Sequence, residues 1–198
     1  DFFGPLVIAG AYTDQNLTRS LLDEGIADSK KITDSKIKKL SKIIRDSSGI
    51  EYEIIIIGPK RYNELYSKIG NLNKLLAWGH AKCIEKLCEK RPDCKRALSD
   101  QFARPSVLQS SLGERGKNII IEQRTKAESD IAVATASILA RDAFVTWIDK
   151  ATEKFGFPIP KGASNKVQEA GEILVSQHGT EILQEVSKTH FKTAQNWL

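Results

Sequence analysis

The stretch Lys126–Arg141, KAESDIAVATASILAR, carries the strongest single indication of how this chain folds. It opens with two acidic residues, Glu128 and Asp130, and continues as a helix-forming segment rich in alanine and other small residues. Small side chains let a helix pack closely against a sheet, so the residues just before the helix are held firmly. An acid in such a position is a candidate functional group.

Strand-like and helix-like segments alternate along the rest of the sequence. The predicted strands are Phe2–Tyr12, Glu51–Gly58, Arg96–Asp100 and Asn118–Glu122. The predicted helices cover about 35–46, 62–69, 71–90, 130–154, 163–177 and 181–186. This alternation predicts an α/β fold with a partly parallel central sheet and a helical C-terminal portion. Because no repeat or domain break interrupts it, one domain over residues 1–198 is expected.

Composition limits the classes of protein to which the chain can belong. Of its 198 residues 40% are apolar, which is enough for the core of one domain. Lys and Arg number 30 against 25 Asp and Glu, a net charge of +5 that suits a polyanionic partner without requiring one. Three cysteines and no visible signal peptide favour a reducing cytoplasm. We read no apolar run as membrane-spanning and expect a cytoplasmic monomer that does not bind a membrane.

Acidic side chains follow two of the predicted strands. Asp100 ends one strand, and Glu128 and Asp130 follow the next after a short connection. The carboxyl ends of neighbouring parallel strands form the usual ligand crevice of such a sheet, so these acids can converge. Clustered carboxylates need a compensating cation, for which Mg²⁺ or Mn²⁺ is suited. Spacing alone leaves another interpretation open, in which the acids are turn residues and Asp130 caps the following helix.

Six segments together resemble a known family. In chain order they are DFFGPLVIAG, ADSKKIT, LSDQF, RTKAESDIAVATASILAR, FPIPKGAS and HFKT. They are similar to the catalytic domain of ribonuclease HIII, a close relative of ribonuclease HII, over essentially the whole chain. The resemblance implies a ribonuclease H-like fold with a mixed central sheet. It also implies endonucleolytic cleavage of RNA in RNA–DNA hybrids with two Mg²⁺ or Mn²⁺ ions, leaving 5′-phosphate and 3′-hydroxyl ends.

The resemblance also assigns the acids. The third and fourth acids of the family match Asp100, in SDQF, and Glu128, in KAES, where the HII relatives carry Asp. Asp130 is the alternative to Glu128, because the relatives differ in length by about one residue here. The family's first two acids form an Asp-Glu pair in a glycine-rich motif before DFFGPL. We therefore expect that pair, and the family's small N-terminal substrate-binding domain, upstream of Asp1.

Contacts with nucleic acid are predicted at three further segments, the first of which matches a family motif that lies beside the nucleic acid. They lie in DSK, in PKGAS just ahead of a helix, and in HFKT near the C-terminus. The predicted substrate-binding residues are Asp28, Ser29, Lys30, Lys161, His190 and Lys192. Lysines at such positions suit phosphates, and the alternative is a solvated turn or tail.

Two other functions compete with this one. The first is a ribonuclease HII-type enzyme that also cuts at single embedded ribonucleotides. The second is a catalytically dead module that binds hybrids. For either enzyme, the expected setting is DNA replication and repair.

Overall fold

A computed structural model describes residues 1–26 and 32–198 of the chain. The strands are β1 (Leu6–Tyr12), β2 (Glu51–Ile57), β3 (Arg96–Asp100) and β4 (Ile120–Arg124). The helices are α1 (Gln15–Asp23), α2 (Asp34–Asp46), α3 (Pro59–Ile69), α4 (Leu72–Lys90), α5 (Pro105–Gln109), α6 (Ile131–Phe155), α7 (Asn165–His178) and α8 (Ile182–Val186). The alternation confirms the α/β class. The predicted substrate-binding residues Asp28, Ser29 and Lys30 lie outside the described residues.

The strands form two pairs, β1 with β2 and β3 with β4. β3 and β4 run parallel, as the sequence predicts, with Arg96 opposite Ile120 and Asp100 opposite Arg124. The hydrogen-bonded ladder does not join the two pairs within the described chain, whereas the sequence predicted one central sheet. The first residue of β4, Ile120, is 63% exposed, as expected where a strand begins at an open edge.

The elements differ from the sequence prediction mainly at their ends. Residues 15–23, which lie outside the predicted helices, form α1, whose first turn is capped by the Asp14 carboxylate at 2.9 Å from the Leu17 N–H. Thr33 caps α2, because its hydroxyl accepts the Lys36 N–H at 3.4 Å. The first strand begins only at Leu6, because Phe3 makes a single isolated bridge to Ser187.

The chain divides into two compact units, which we call the terminal unit and the central unit. The terminal unit comprises Asp1–Val7, Ile56–Gly70 and Ala143–Leu198, and the central unit comprises Ile8–Ile55 and Asn71–Asp142. Each has apolar packing of its own. The assignment of the whole chain to one domain stays a prediction.

In the central unit, α2 packs against the first half of α6. Ile37 and Ile44 of α2 and Ile138 of α6 are all fully buried in one apolar cluster. A polar clamp continues this contact, since the Ser41 hydroxyl donates to Asp142 Oδ2 at 2.7 Å. The small Ala134, also in this cluster, leaves room for the larger neighbours. The alanine-rich stretch thereby fixes the start of α6.

α6 is also long and apolar enough to cross a membrane, by length and composition alone. This corrects the sequence interpretation, in which no apolar run reached that length. Its 25 residues are mostly small or aliphatic over the first half. Ile138 and Leu139 are fully buried within the central unit, so part of the apolar surface is used in the core.

The terminal unit holds a buried lysine that anchors the start of the chain. Lys188 is 6% exposed, and its ammonium donates to the backbone carbonyls of Gly4 at 2.6 Å and Asp1 at 3.1 Å. The backbone reinforces the contact, because the Lys188 backbone N–H donates to the Phe2 carbonyl at 2.9 Å. Burial lowers the pKa of Lys188 to about 8. The buried Lys188 ammonium therefore fixes the segment Asp1–Gly4.

The core contact of α6 makes a first prediction. Replacing Ile138 by Ala removes a fully buried side chain, and we expect a loss of about 2–5 kcal/mol in the free energy of unfolding. The matched control is Ile173→Ala on α7, where the side chain is 40% exposed and a change within about 1 kcal/mol is expected. Urea denaturation measures both. Equal losses in the two variants would contradict this description of the core.

The buried Lys188 leads to a second prediction, on how stability depends on pH. The folded pKa of Lys188 is about 8 against an ordinary 10.5, so the unfolded chain binds more protons between these values. The contribution of Lys188 to the free energy of unfolding therefore rises with pH across that range, by up to about 3 kcal/mol. We expect wild type to gain stability relative to Lys188→Met as pH rises from 8 to 10, measured by urea denaturation. A difference that is flat with pH would show that the ammonium is not buried.

Candidate functional site

The site in the central unit begins at the carboxyl end of β3. Asp100 is the last residue of β3, and its side chain is exposed. The preceding Ser99 is buried, so the strand is fixed up to the acid. The partner strand β4 ends level with it at Arg124, as the parallel register requires. The predicted strand end thus presents its carboxylate to solvent.

A tight turn after β4 brings a second acid to the same place. Residues Ala127–Ser129 form a single 3₁₀ turn, and Ala127 is fully buried. The Ala127 N–H donates to Asp100 Oδ1 at 3.4 Å. Glu128, the next residue, is half-buried. The structure therefore places Asp100 next to the turn that holds Glu128. The Asp100 carboxylate accepts the N–H of Ala127, the residue just before Glu128.

Asp130 serves as the cap of α6. Its Oδ1 accepts the Ala132 N–H at 3.0 Å, and its backbone carbonyl accepts the Ala134 N–H at 2.9 Å. Its other carboxylate oxygen lies 3.9 Å from the Arg124 guanidinium. Helix capping and an ion pair already occupy both oxygens. Asp130 is therefore engaged as the cap of α6, and the choice of Glu128 over Asp130 as the second candidate ligand stays a prediction.

The donor atoms of Asp100 and Glu128 suit a hard divalent cation, because such ions bind carboxylate oxygens. Over residues 1–26 and 32–198, however, no group of three or more His, Cys, Asp or Glu side chains is placed to hold a metal ion. Two carboxylates fit one side of a cation site and do not complete it.

A ring stack supports the loop that follows Asp100. His80 of α4 stacks on Phe102 with ring centroids 4.9 Å apart and planes 16° from parallel. Burial lowers the pKa of His80 to about 4, with the charge of Asp100 opposing the shift. His80 is therefore a neutral packing residue at pH 7. Nothing in the sequence indicates this stack, because the spacing of α4 does not show which ring His80 meets.

The other predicted contacts within the described residues lie in the terminal unit; they are Lys161, His190 and Lys192. The Gly162 N–H donates to the Asp1 carboxylate at 2.5 Å, and the Phe2 N–H donates to the Gly162 carbonyl at 2.9 Å. Lys161, just before Gly162, is exposed. The loop that carries Lys161 is thus bonded to the DFFG segment through both the N–H and the carbonyl of Gly162.

His190 is held by side chains of α3. It stacks on Tyr66 with ring centroids 4.1 Å apart, and the Tyr62 hydroxyl lies 3.5 Å from His190 Nδ1. Asn63 fixes the backbone just before it, donating to the Ser187 carbonyl at 2.9 Å and accepting the Thr189 N–H at 3.0 Å. Burial, with the nearby Lys188 charge, lowers the pKa of His190 below its ordinary value. The imidazole is therefore mainly neutral at pH 7.

The predicted residues thus fall into two groups. In the central unit Asp100 lies next to the turn that holds Glu128, and Asp130 caps the helix that follows. Lys161 and His190 belong to the terminal unit, as does Lys192, which is exposed at the start of a 3₁₀ turn. The sequence analysis missed the supporting residues Asn63 and Lys188, because their partners are backbone atoms distant in sequence.

Comparison with known proteins shows the family to which the chain belongs. A family model described as Ribonuclease HII matches residues 1–194. A Ribonuclease HIII from Chlamydia felis is 46% identical over 195 residues, and one from Chlamydia abortus is 47% identical over 195 residues. Each alignment covers 98% of this chain but only 64% of the relative, so the chain spans less than two thirds of the length of these relatives.

Solved structures show the same fold. Bst-RNase HIII in complex with Mn²⁺ superposes with a TM-score of 0.89 at 27% identity, covering 98% of this chain and 64% of that one. RNase H3 of Aquifex aeolicus superposes with a TM-score of 0.78 at 26% identity, covering 97% of this chain and 68% of that one. These likenesses confirm the ribonuclease H-like fold. With the family model matching nearly the whole chain, they establish that this chain belongs to the ribonuclease HII family, in which it is similar to proteins named ribonuclease HIII.

Proposed function

We propose that this chain is the catalytic part of a metal-dependent endonuclease that hydrolyses the RNA strand of RNA–DNA hybrids. The observation that carries the proposal is the meeting of Asp100 with the turn that holds Glu128. In a member of this family, two carboxylates that follow neighbouring strands are expected to form part of a cation site. The Mn²⁺ complex of Bst-RNase HIII supports a divalent cation as the cofactor.

Asp100 and Glu128 would hold two Mg²⁺ or Mn²⁺ ions together with further acids, and ions so held supply water activation and stabilisation of the leaving oxygen. The residues around them have separate tasks. The Ala127 N–H orients the Asp100 carboxylate, and Asp130 fixes the start of α6 by capping it. With water as the attacking group, the products would carry 5′-phosphate and 3′-hydroxyl ends, and no side chain need act as nucleophile.

The basic residues of the terminal unit would bind the phosphate backbone. Lys161 and Lys192 are exposed cations, which give affinity without sequence preference. His190, neutral at pH 7, would contribute a hydrogen bond rather than a charge. Asp28, Ser29 and Lys30 stay predicted contacts on the resemblance alone. Choice of the RNA strand over DNA would depend on its 2′-hydroxyls.

We also propose that the protein acts as a monomer in the cytoplasm, in DNA replication and repair. Its three cysteines, Cys83, Cys88 and Cys94, are free thiols, which agrees with a reducing compartment. An oligomer in solution, measured by light scattering, would contradict the first part.

A set of isosteric substitutions tests the site. In the protein as encoded, including any residues that flank this chain, Asp100→Asn and Glu128→Gln should each lower Mg²⁺-dependent hybrid cleavage by about 100-fold or more, since each removes a charged ligand. Asp130→Asn is the matched control, because Asn caps helices as well as Asp does. It should stay within a few-fold of wild type. Initial rates on a labelled hybrid measure all three.

Other outcomes separate the competing functions. Loss of activity in Asp130→Asn with normal activity in Glu128→Gln would reverse the assignment of the ligand. Equal cleavage of a duplex with one embedded ribonucleotide would favour the HII-type enzyme. Hybrid binding with no cleavage under any divalent cation would favour the binding module and overturn the endonuclease.

A further inference from the structure

The turn between β4 and α6 contains an unusual backbone conformation. Lys126 has φ 56° and ψ 38°, in the left-handed region. It is the one non-glycine residue with positive φ over residues 1–26 and 32–198. Left-handed backbone is unfavourable for a residue with a Cβ atom, whereas glycine adopts it readily. A residue other than glycine here indicates that the side chain has a task of its own.

The Lys126 side chain is exposed, and no described residue pairs with its ammonium. The neighbouring cation, Arg124, is directed instead to the Asp130 carboxylate, 3.9 Å away. Lys126 is two residues before Glu128 and precedes Ala127, whose N–H donates to Asp100. An exposed cation is therefore carried by the residue next to Ala127, at the start of the turn that holds Glu128.

We propose that Lys126 is a substrate-binding residue whose ammonium contacts a phosphate of the cleaved strand beside Asp100 and Glu128. This inference rests on the proposed function and deepens it. A polyanion that enters the site brings phosphates close to two carboxylates, and a cation on the turn that holds Glu128 would lower the repulsion. The left-handed conformation of Lys126 leads the chain directly into the 3₁₀ turn that holds Glu128.

Three substitutions separate the side chain from the backbone. Lys126→Gly removes the charge and suits the left-handed conformation, Lys126→Gln removes only the charge, and Lys126→Arg keeps it. The Gly and Gln variants should bind an RNA–DNA hybrid about three- to tenfold more weakly at 0.1 M salt. Their slope of log affinity against log salt should be smaller by about one, since one phosphate contact is lost. The Arg variant should keep the wild-type slope.

Binding is measured by fluorescence anisotropy with a chelator that stops cleavage, and cleavage is measured separately with Mg²⁺. The Gly variant should lose kcat/KM while its Tm does not fall, which a purely structural role would not produce. Lys95→Gln is the matched control, since Lys95 is an exposed lysine immediately before β3, at the opposite end of that strand. It should keep the wild-type slope and activity.

The outcomes distinguish this inference from the proposed function. Wild-type cleavage together with an unchanged salt slope and kcat/KM in the Gly and Gln variants would overturn the role of Lys126 alone. Wild-type binding without cleavage would overturn the endonuclease, while the salt slopes still decide the role of Lys126. A wild-type protein that does not bind the hybrid would overturn both.

Discussion

The parallel pairing of β3 with β4 is the constraint on which the candidate site depends. Because Asp100 and Arg124 end the two strands at the same level, the chain must turn directly beside the Asp100 carboxylate. The Ala127 N–H then donates to that carboxylate, and Glu128 follows at once. A shift of the register by one residue would move Asp100 away from this turn and reverse the face to which its side chain points.

A different kind of constraint fixes the terminal unit. There the backbone of Asp1–Gly4 is held by a buried ammonium and by bonds to Gly162, while Asn63 holds the backbone around Ser187 and Thr189. Burying a lysine costs free energy, which the lowered pKa of Lys188 reflects. The loops that carry Lys161 and His190 are thereby fixed to structured backbone rather than left as solvated tails.

Much of the fold is predictable from local patterns, because helix periodicity and strand composition are local properties. β3 and α4 agree closely with prediction, and the caps of α2 and α4 are visible as Thr33 and Asn71. The position of Asp100 at a strand end is predictable from sequence, whereas the pairing of Asp100 with Glu128 as ligands stays a prediction from the family resemblance. Contacts between distant segments are not predictable in this way. The His80–Phe102 stack, the Asn63 bonds and the left-handed Lys126 depend on tertiary geometry that no spacing records.

The central claim is that Asp100 and Glu128, rather than Asp130, bind the divalent cation. Isothermal titration calorimetry of Mn²⁺ into the protein as encoded tests it without any dependence on cleavage. The account predicts that the double variant with Asp100→Asn and Glu128→Gln binds Mn²⁺ at least about tenfold more weakly than wild type, while Asp130→Asn binds it normally. Wild-type Mn²⁺ affinity in the double variant would contradict the account.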